Sequence, residues 1–421
     1  MDDISGQVIA HLDAAAIAHA KNDPDQERRH LDAALALTPD DPRVLNAQGM
    51  AALAQQNFKR AQTLFMRAVE VDAGQPALLL NVATACRALE DHDGERAALD
   101  AVLNIDRLDF IAQLRMAELR ERTGDLTAAA LGWHNVVQLA VQIEPRPPRV
   151  ADALARGQAF LAAHGARTAT IIDDALGPRL AAMGSAARRF SACVDHGLGR
   201  RAIFQNECAG VHFPFLPADE FFDRAHFPWL ADIEAKTDVI RAEALALLSL
   251  GSDAIRPYVR METGGPDTIW SGLDNSLDWS ACFLWEYGDR NDAVCTLCPE
   301  TAAALARLPQ NHVPGKAPSA FFSILKPRTH IPAHTGVTNT RAIIHLPLVV
   351  PPACCFRVGG ETREWREGEA FAFDDTIQHE AWNDSDEVRI VLIFDVWNPH
   401  LTPEEQALLV DYFALTGQRA P

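Results

Sequence analysis

Apolar residues recur every three or four positions through the first third of the chain, and beyond about residue 205 they begin to alternate with polar ones. Segments such as FKRAQTLFMRAVEVD and ERAALDAVLNID carry the helical spacing. The helical part also repeats on itself with a period of 34. The small residues Ala15, Gly49, Ala83 and Ala117 recur at that spacing, where two helices must approach closely. A second register runs through Leu31, Phe65, Leu99 and Trp133, and a third through Ala34, Ala68, Val102 and Val136. Pro39, Pro42 and Pro76 fall at the predicted helix boundaries, since proline cannot continue a helix interior. Past residue 205 one helical stretch, WLADIEAKTDVIRAEALALL, comes first. Aromatic-rich alternation bounded by Gly, Pro and Asp then predicts strands at WSACFLWEYG, SAFFSILKP, TRAIIHLPLVV, CFRVGGETREW, EAFAFDDT, HEAWND and VRIVLIFDVW.

A period of 34 is the length of one tetratricopeptide helix pair, and residues 7 to about 142 resemble that family. Glu95 departs from the pattern, standing where the neighbouring repeat has Ala61. Such an array predicts a solenoid whose concave face suits a peptide or protein, the other use being packing or self-association. The prolines of VQIEPRPPRV, residues 141 to 150, end the period, and helical sequence continues after them. The expected organisation is α+β and multidomain: an all-α tetratricopeptide solenoid over 1–142, a helical linker over 143–204, and a β-rich domain over 205–421. Closely spaced strands in the last part predict an antiparallel double-sheet jelly roll, that is, a cupin-like double-stranded β-helix.

Composition narrows the partners. At 421 residues, 48% hydrophobic, the chain can bury two or three cores. A formal net charge of −19 argues against nucleic acid, which needs clustered Lys and Arg, and leaves a neutral or cationic partner easier to accommodate. No run of about 18 uncharged apolar residues occurs and the first residues lack a basic n-region, so no membrane association and a cytoplasmic location are expected. Eight scattered cysteines read as reduced thiols. Cys295 and Cys298 form a CxxC that no second pair or nearby His completes into a zinc site, and the adjacent Cys354 and Cys355 read as packing.

Three residues have spacings that chemistry would explain. His334 stands at the mouth of a predicted strand, His379 follows 45 residues later and Arg389 another 10 after that. This order suits a mononuclear non-heme iron(II) site, held on one face by two histidines and usually a carboxylate. The carboxylate normally lies two residues after the first histidine, because strand residues i and i+2 point the same way. Here that residue is Gly336. Arg389 lies within the apolar strand VRIVLIFDVW, where a cation needs a buried anion, and a dicarboxylate co-substrate would supply one.

The text FFSILKPRTHIPAHTGVTNTRAIIHLPLVVP through EGEAFAFDDTIQHEAWNDSDEVRIVLIFDVWNPHLTPEE, about 85 residues, resembles the aspartyl/asparaginyl β-hydroxylase family of 2-oxoglutarate-dependent oxygenases. The combination HTG, FDD, HEAW and FDVWNP carries the likeness, and NSLDWSACFLWEYGDRNDAVCTLCPETAAAL upstream extends it. Relatives of this kind hold iron with two histidines and no carboxylate, which would account for Gly336. The resemblance implies His334 and His379 as iron ligands, Arg389 with Ser323 for the distal carboxylate of 2-oxoglutarate, and His345 near its other end. It implies Fe(II), 2-oxoglutarate and dioxygen as requirements. The reaction would be hydroxylation of an unactivated carbon, the β-carbon of an Asp or Asn in a peptide or protein held by the repeats.

Family members commonly carry an arginine two residues before that last histidine, whereas this chain has Ile343 there and Arg341 two positions earlier. Arg341 either substitutes from the same strand face or is a surface residue. Asp374 and Asp375 either orient a histidine or cap a turn. Trp382 and Trp397 read as core, and Trp285, Tyr287 and Arg290 are weaker candidates for the substrate side. Two other readings stand beside hydroxylation of a peptide: a halogenating or small-molecule-hydroxylating oxygenase, and a repeat scaffold with a catalytically silent jelly roll.

Overall fold

The computed structural model describes residues 2–251, 254–262 and 264–416. The chain divides into two compact units, Met1–Arg188 and Arg189–Pro421.

The first unit is helical: α1 (Asp2–Ala20), α2 (Pro24–Leu37), α3 (Pro42–Ala54), α4 (Phe58–Val71), α5 (Pro76–Ala88), α6 (His92–Ile105), α7 (Phe110–Arg122), α8 (Leu126–Gln142) and α9 (Pro148–Met183). Helices pack in consecutive pairs, α1 with α2 through α7 with α8, as in tetratricopeptide repeats. The sequence registers are the packing registers. Leu31, Phe65, Leu99 and Trp133 are all buried, and so are Ala15, Ala83 and Ala117. Gly49 belongs to the same set because a Cβ there would lie 2.4 Å from the Phe65 ring. Glu95 is wholly buried, and its carboxylate accepts from Arg122 at 2.5 Å. The odd residue of its register is thus held by an ion pair to the next repeat.

A further register governs the turns. Asp23, Asn57, Asp91 and Asp125 each cap the second helix of a pair by accepting a backbone N–H three residues on. The residue before each cap, Asn22, Gln56, Glu90 or Gly124, has a left-handed backbone with φ between 57° and 81°. In the stretch expected as a linker, α9 runs for 36 residues, and its Gly157 comes against Trp133 and Val137 of α8.

Strands dominate the second unit: β1 (Arg256–Pro257), β2 (Trp279–Glu286), β3 (Asp289–Arg290), β4 (Ala320–Leu325), β5 (Thr329–His334), β6 (Arg341–Val349), β7 (Cys354–Val358), β8 (Glu361–Glu364), β9 (Phe371–Phe373), β10 (His379–Asn383) and β11 (Arg389–Trp397). They form two antiparallel sheets. One has the order β1-β2-β4-β11-β6-β9 with β3 beside β2, the other β5-β10-β7-β8. Helices Leu230–Glu234, Thr237–Ser249, Asp292–Leu297 and Pro299–Leu305 cover the outer face of the larger sheet through Leu230, Ile240, Leu305, Ile344, Leu392 and Phe394. On the inner face, Trp279, Leu325, Ile343 and Phe373 meet Ile331, Phe356, Val358 and Ala381 of the smaller sheet.

Three local features differ from the expectation. The stretch 229–248 breaks at Ala235 and Lys236 into two helices. CFRVGGETREW is a hairpin, β7 and β8, turning at Gly359 with φ 55°. Residues 329–334 form β5, so His334 closes one strand and is not merely the mouth of the next. Among the described residues no helix is long and apolar enough to cross a membrane.

Candidate active site

Strand pairing builds the centre. β5 and β10 run antiparallel with His334 directly opposite His379, and their rings lie 4.1 Å apart between centroids. Each ring is fixed by a backbone carbonyl two residues before it: His334 Nδ1 to Pro332 O at 2.8 Å, His379 Nδ1 to Ile377 O at 3.0 Å. With Nδ1 donating, Nε2 of each ring keeps a lone pair for a metal. Burial lowers both pKa values, His379 to about 3, so the rings stay neutral and ligand-competent. Among the described residues no group of three or more His, Cys, Asp or Glu is placed to hold a metal, so the histidines stand as a pair. Gly336 leaves no room for a carboxylate of its own: a Cβ there would lie 2.3 Å from the Asp375 carboxyl group.

Across the inner face lies an anion-seeking group. Arg389 is 1% exposed, and burial brings its pKa down to about 9. No carboxylate pairs with it among the described residues. Its Nη2 donates to Ser323 Oγ at 3.3 Å, Ser323 also accepts from Trp279 Nε1 at 3.2 Å, and the guanidinium lies 4.5 Å over the Trp365 ring. Arg389 Nε, Trp365 Nε1 and His345 Nδ1 are buried without a hydrogen-bond partner among the described residues. His345 is ringed by Phe356, Phe371, Phe373 and Trp365, and burial, with Arg389 and His379 nearby, holds its pKa well below the usual value. Orphaned donors and a desolvated cation fit a dicarboxylate as the missing partner.

His334, His379, His345, Ser323 and Arg389 line a cavity of about 560 Å³ together with Arg341 and Asp375. Arg341 shares its strand face with Ile343 and His345, and it is engaged already: Nη2 donates to Asp375 Oδ2 at 2.8 Å and Nη1 to Asp395 Oδ2 at 3.4 Å. Desolvation opposes its charge, but the two carboxylates outweigh it and raise the pKa. Asp395, desolvated, is pushed up to about 6. Asp374 instead accepts from Thr376 and Asn206 and is turn chemistry, while Asp375 faces the site.

Of the weaker candidates, Tyr287 lines the cavity whereas Trp285 packs with the outer core and holds Arg290 over its ring at 5.7 Å. Trp382 stacks on His330. Cys295 and Cys298 are buried free thiols raised by desolvation, Cys298 to about 12. What sequence reading did not find is the aromatic wall: Tyr258 stacks on Trp279 at 4.1 Å, Phe283 lies tilted against Phe321 at 4.8 Å, and Trp270 meets the His334 ring edge-on at 4.8 Å. For Trp279, Phe283 and Phe321 the signal was strand alternation; Tyr258 and Trp270 come from irregular chain, which offers no period to read.

Comparison with known proteins identifies relatives of the second unit. The profile of the family described as Aspartyl/Asparaginyl beta-hydroxylase matches residues 234–399. An ornithine lipid ester-linked acyl 2-hydroxylase of Rhizobium tropici is 35% identical over 200 residues, 47% of this chain and 67% of that protein. The chain belongs to the aspartyl/asparaginyl β-hydroxylase family. A human relative, aspartyl/asparaginyl beta-hydroxylase itself, is 40% identical over 178 residues, 42% of this chain and 22% of that one. The chain therefore spans less than a quarter of that human member of the family. A solved tetratricopeptide repeat protein from Parabacteroides merdae superposes with TM-score 0.34 at 12% identity, covering 46% of this chain and 75% of that one, too distant to add to what the helix pairs show.

Proposed function

We propose that the second unit is an Fe(II)- and 2-oxoglutarate-dependent oxygenase that hydroxylates an unactivated carbon, with the β-carbon of an Asp or Asn residue in a peptide as its target. The observation that carries this is Arg389, a buried guanidinium with a serine but no carboxylate for company, on the sheet face opposite two neutral histidines. The facing sheets support a jelly-roll reading of the unit.

His334 and His379 would hold the iron through Nε2. Arg389 and Ser323 would hold the distal carboxylate, where the guanidinium fork gains the anion it lacks. His345, neutral, would meet the inner end through its orphaned Nδ1. When bound with 2-oxoglutarate and dioxygen, the metal supplies the oxidising power that puts one oxygen atom into a C–H bond, as 2-oxoglutarate becomes succinate and carbon dioxide. The protein's own part is placement: paired strands fix the imidazoles, the aromatic wall excludes water, and the cavity holds the reacting carbon in reach.

One observation favours a second target class. Arg341 is neutralised by Asp375 and Asp395, and Ile343 presents an apolar side chain to the cavity, a setting that suits an aliphatic chain such as the acyl group named for the Rhizobium relative.

The test is anaerobic titration with Fe(II) and 2-oxoglutarate, then succinate measured in air, for wild type, His379→Ala and Arg389→Ala. Wild type should bind both and form succinate slowly even without substrate. The His379 variant should lose iron, and the Arg389 variant should lose 2-oxoglutarate while keeping iron. A wild type that binds neither sinks the proposal and leaves a repeat scaffold with a silent domain. Product appearance with aspartyl peptides against acyl substrates separates the two target classes.

A further inference from the structure

The helical unit contains a cavity of about 540 Å³ formed by three helices: Leu80, Asn81, Thr84 and Arg87 of α5, Ile111, Leu114, Arg115 and Glu118 of α7, and Arg149, Asp152, Ala153 and Arg156 of α9. Its chemistry is written in the repeat. Asn81, Arg115 and Arg149 stand 34 residues apart, as do Thr84, Glu118 and Asp152, so equivalent positions of successive helices present one polar row and one hydroxyl-and-acid row to the same space.

The charges do not cancel. Four arginines face two carboxylates in a chain whose net charge is −19. Glu118 is already shared by Arg87 at 2.7 Å and Arg156 at 2.9 Å, and Arg156 also reaches Glu121 at 3.0 Å. Arg149 is exposed and has no ion pair among the described residues. Arg115 is 9% exposed; its Nη1 donates to Leu80 O and Thr84 Oγ1, both at 2.9 Å, and among the described residues no carboxylate pairs with it directly. Burial lowers its pKa, with Glu95 and Glu118 opposing from a distance. A desolvated cation, an unpaired one beside it and apolar surface from Leu80, Ile111 and Leu114 together ask for an anion carried on something with side chains of its own.

We infer that the α5–α7–α9 cavity binds an acidic segment of a polypeptide, a Glu or Asp carboxylate lying between Arg115 and Arg149 with neighbouring apolar residues against Leu80, Ile111 and Leu114. This reading is independent of the oxygenase proposal, since it needs neither metal nor 2-oxoglutarate, and loss of catalysis would leave it standing. The groove is then an anion-selective exception to the charge of the whole chain.

The experiment uses the full chain, metal-free, and fluorescence anisotropy of a short labelled peptide alternating Glu or Asp with Leu, against the same peptide with Gln and Asn. The acidic peptide should bind at least tenfold tighter than its amide counterpart and weaken as salt rises. Arg149→Glu, at an exposed position, should reduce binding roughly tenfold or more without changing the helical circular dichroism. Equal binding of the two peptides, no binding of either, or no effect of Arg149→Glu overturns the inference. So does displacement of the peptide by equimolar free glutamate or inorganic phosphate, which would mark a small-anion site.

Discussion

Arg389 is buried at a cost in stability, and the proposed oxygenase gives that cost a use. Its charge is retained at neutral pH in a site that disfavours it, a penalty on the order of a few kcal/mol, because 12.5 is brought down only to about 9. Arg389→Met should therefore raise the thermal midpoint of the ligand-free protein, by roughly 1–3 kcal/mol of stability, while abolishing the further rise that 2-oxoglutarate gives the wild type. Thermal melts with and without 2-oxoglutarate check both halves; a less stable variant would mean that the guanidinium is already compensated. The histidines give a pH signature. His334, His345 and His379 all have folded pKa values below the ordinary 6.5, the last at about 3. Between those limits the unfolded chain's histidines bind protons that the folded chain refuses, so their contribution to stability is level above pH 6.5 and falls as pH drops from 6.5 toward 3, while Asp374 and Asp395, raised to about 6, contribute in the opposite sense. Urea midpoints at pH 7 and pH 5 should differ more in the wild type than in His345→Leu, which removes one refused proton.

At the scale of elements, the turn register of the helical unit makes a paired prediction. Asp91 caps α6 by accepting from Gly94 N at 2.9 Å and also accepts from Gln62 Nε2 at 3.1 Å, so Asp91→Ala should lose about 1–2 kcal/mol. Glu90 beside it holds φ 57°, which costs an L-residue about 1–2 kcal/mol and glycine little, so Glu90→Gly should gain up to about 1 kcal/mol after its own entropy is counted. Opposite shifts in the melt of the same helix pair would confirm the register; a destabilised Glu90→Gly would refute the strain. That register lies at the period already found, but its polar turn residues change identity from repeat to repeat and carry no hydrophobic signal. The apolar registers were legible because each repeat buries the same few positions. In the second unit, His334, His379 and Arg389 were legible because their residue types and spacing carry chemistry, whereas Ser323 and His345 were named only through the family resemblance. Strand β5 was not legible, since it is short, contains Pro332, and the stretch from Pro332 read as a loop opening into β6. The partners of Arg341 were not either: Asp375 and Asp395 come from β9–β10 and β11, and only sheet pairing brings them beside β6.

Across the whole molecule the two units have separate buried cores: Leu45, Phe65, Leu99 and Trp133 in one, the outer and inner faces of the sheets in the other. Ligands should therefore read out by unit. A ligand that binds only the folded state stabilises by RT ln(1 + [L]/Kd), about 2.7 kcal/mol at a hundredfold excess over Kd, which for a unit of this size moves its midpoint by roughly 5 to 11 °C. Calorimetry of the full chain with Co(II) and 2-oxoglutarate, anaerobically and without turnover, should raise the transition of residues 189–421 and leave that of 1–188 in place; the acidic peptide should do the reverse. His379→Ala should erase the metal-linked shift but not the peptide-linked one, and Arg149→Glu the opposite. If every ligand moves a single common transition, the units unfold as one cooperative body, and occupation of the helical cavity would then stabilise the catalytic sheets as well, coupling what the repeats hold to how firmly the histidine pair is set.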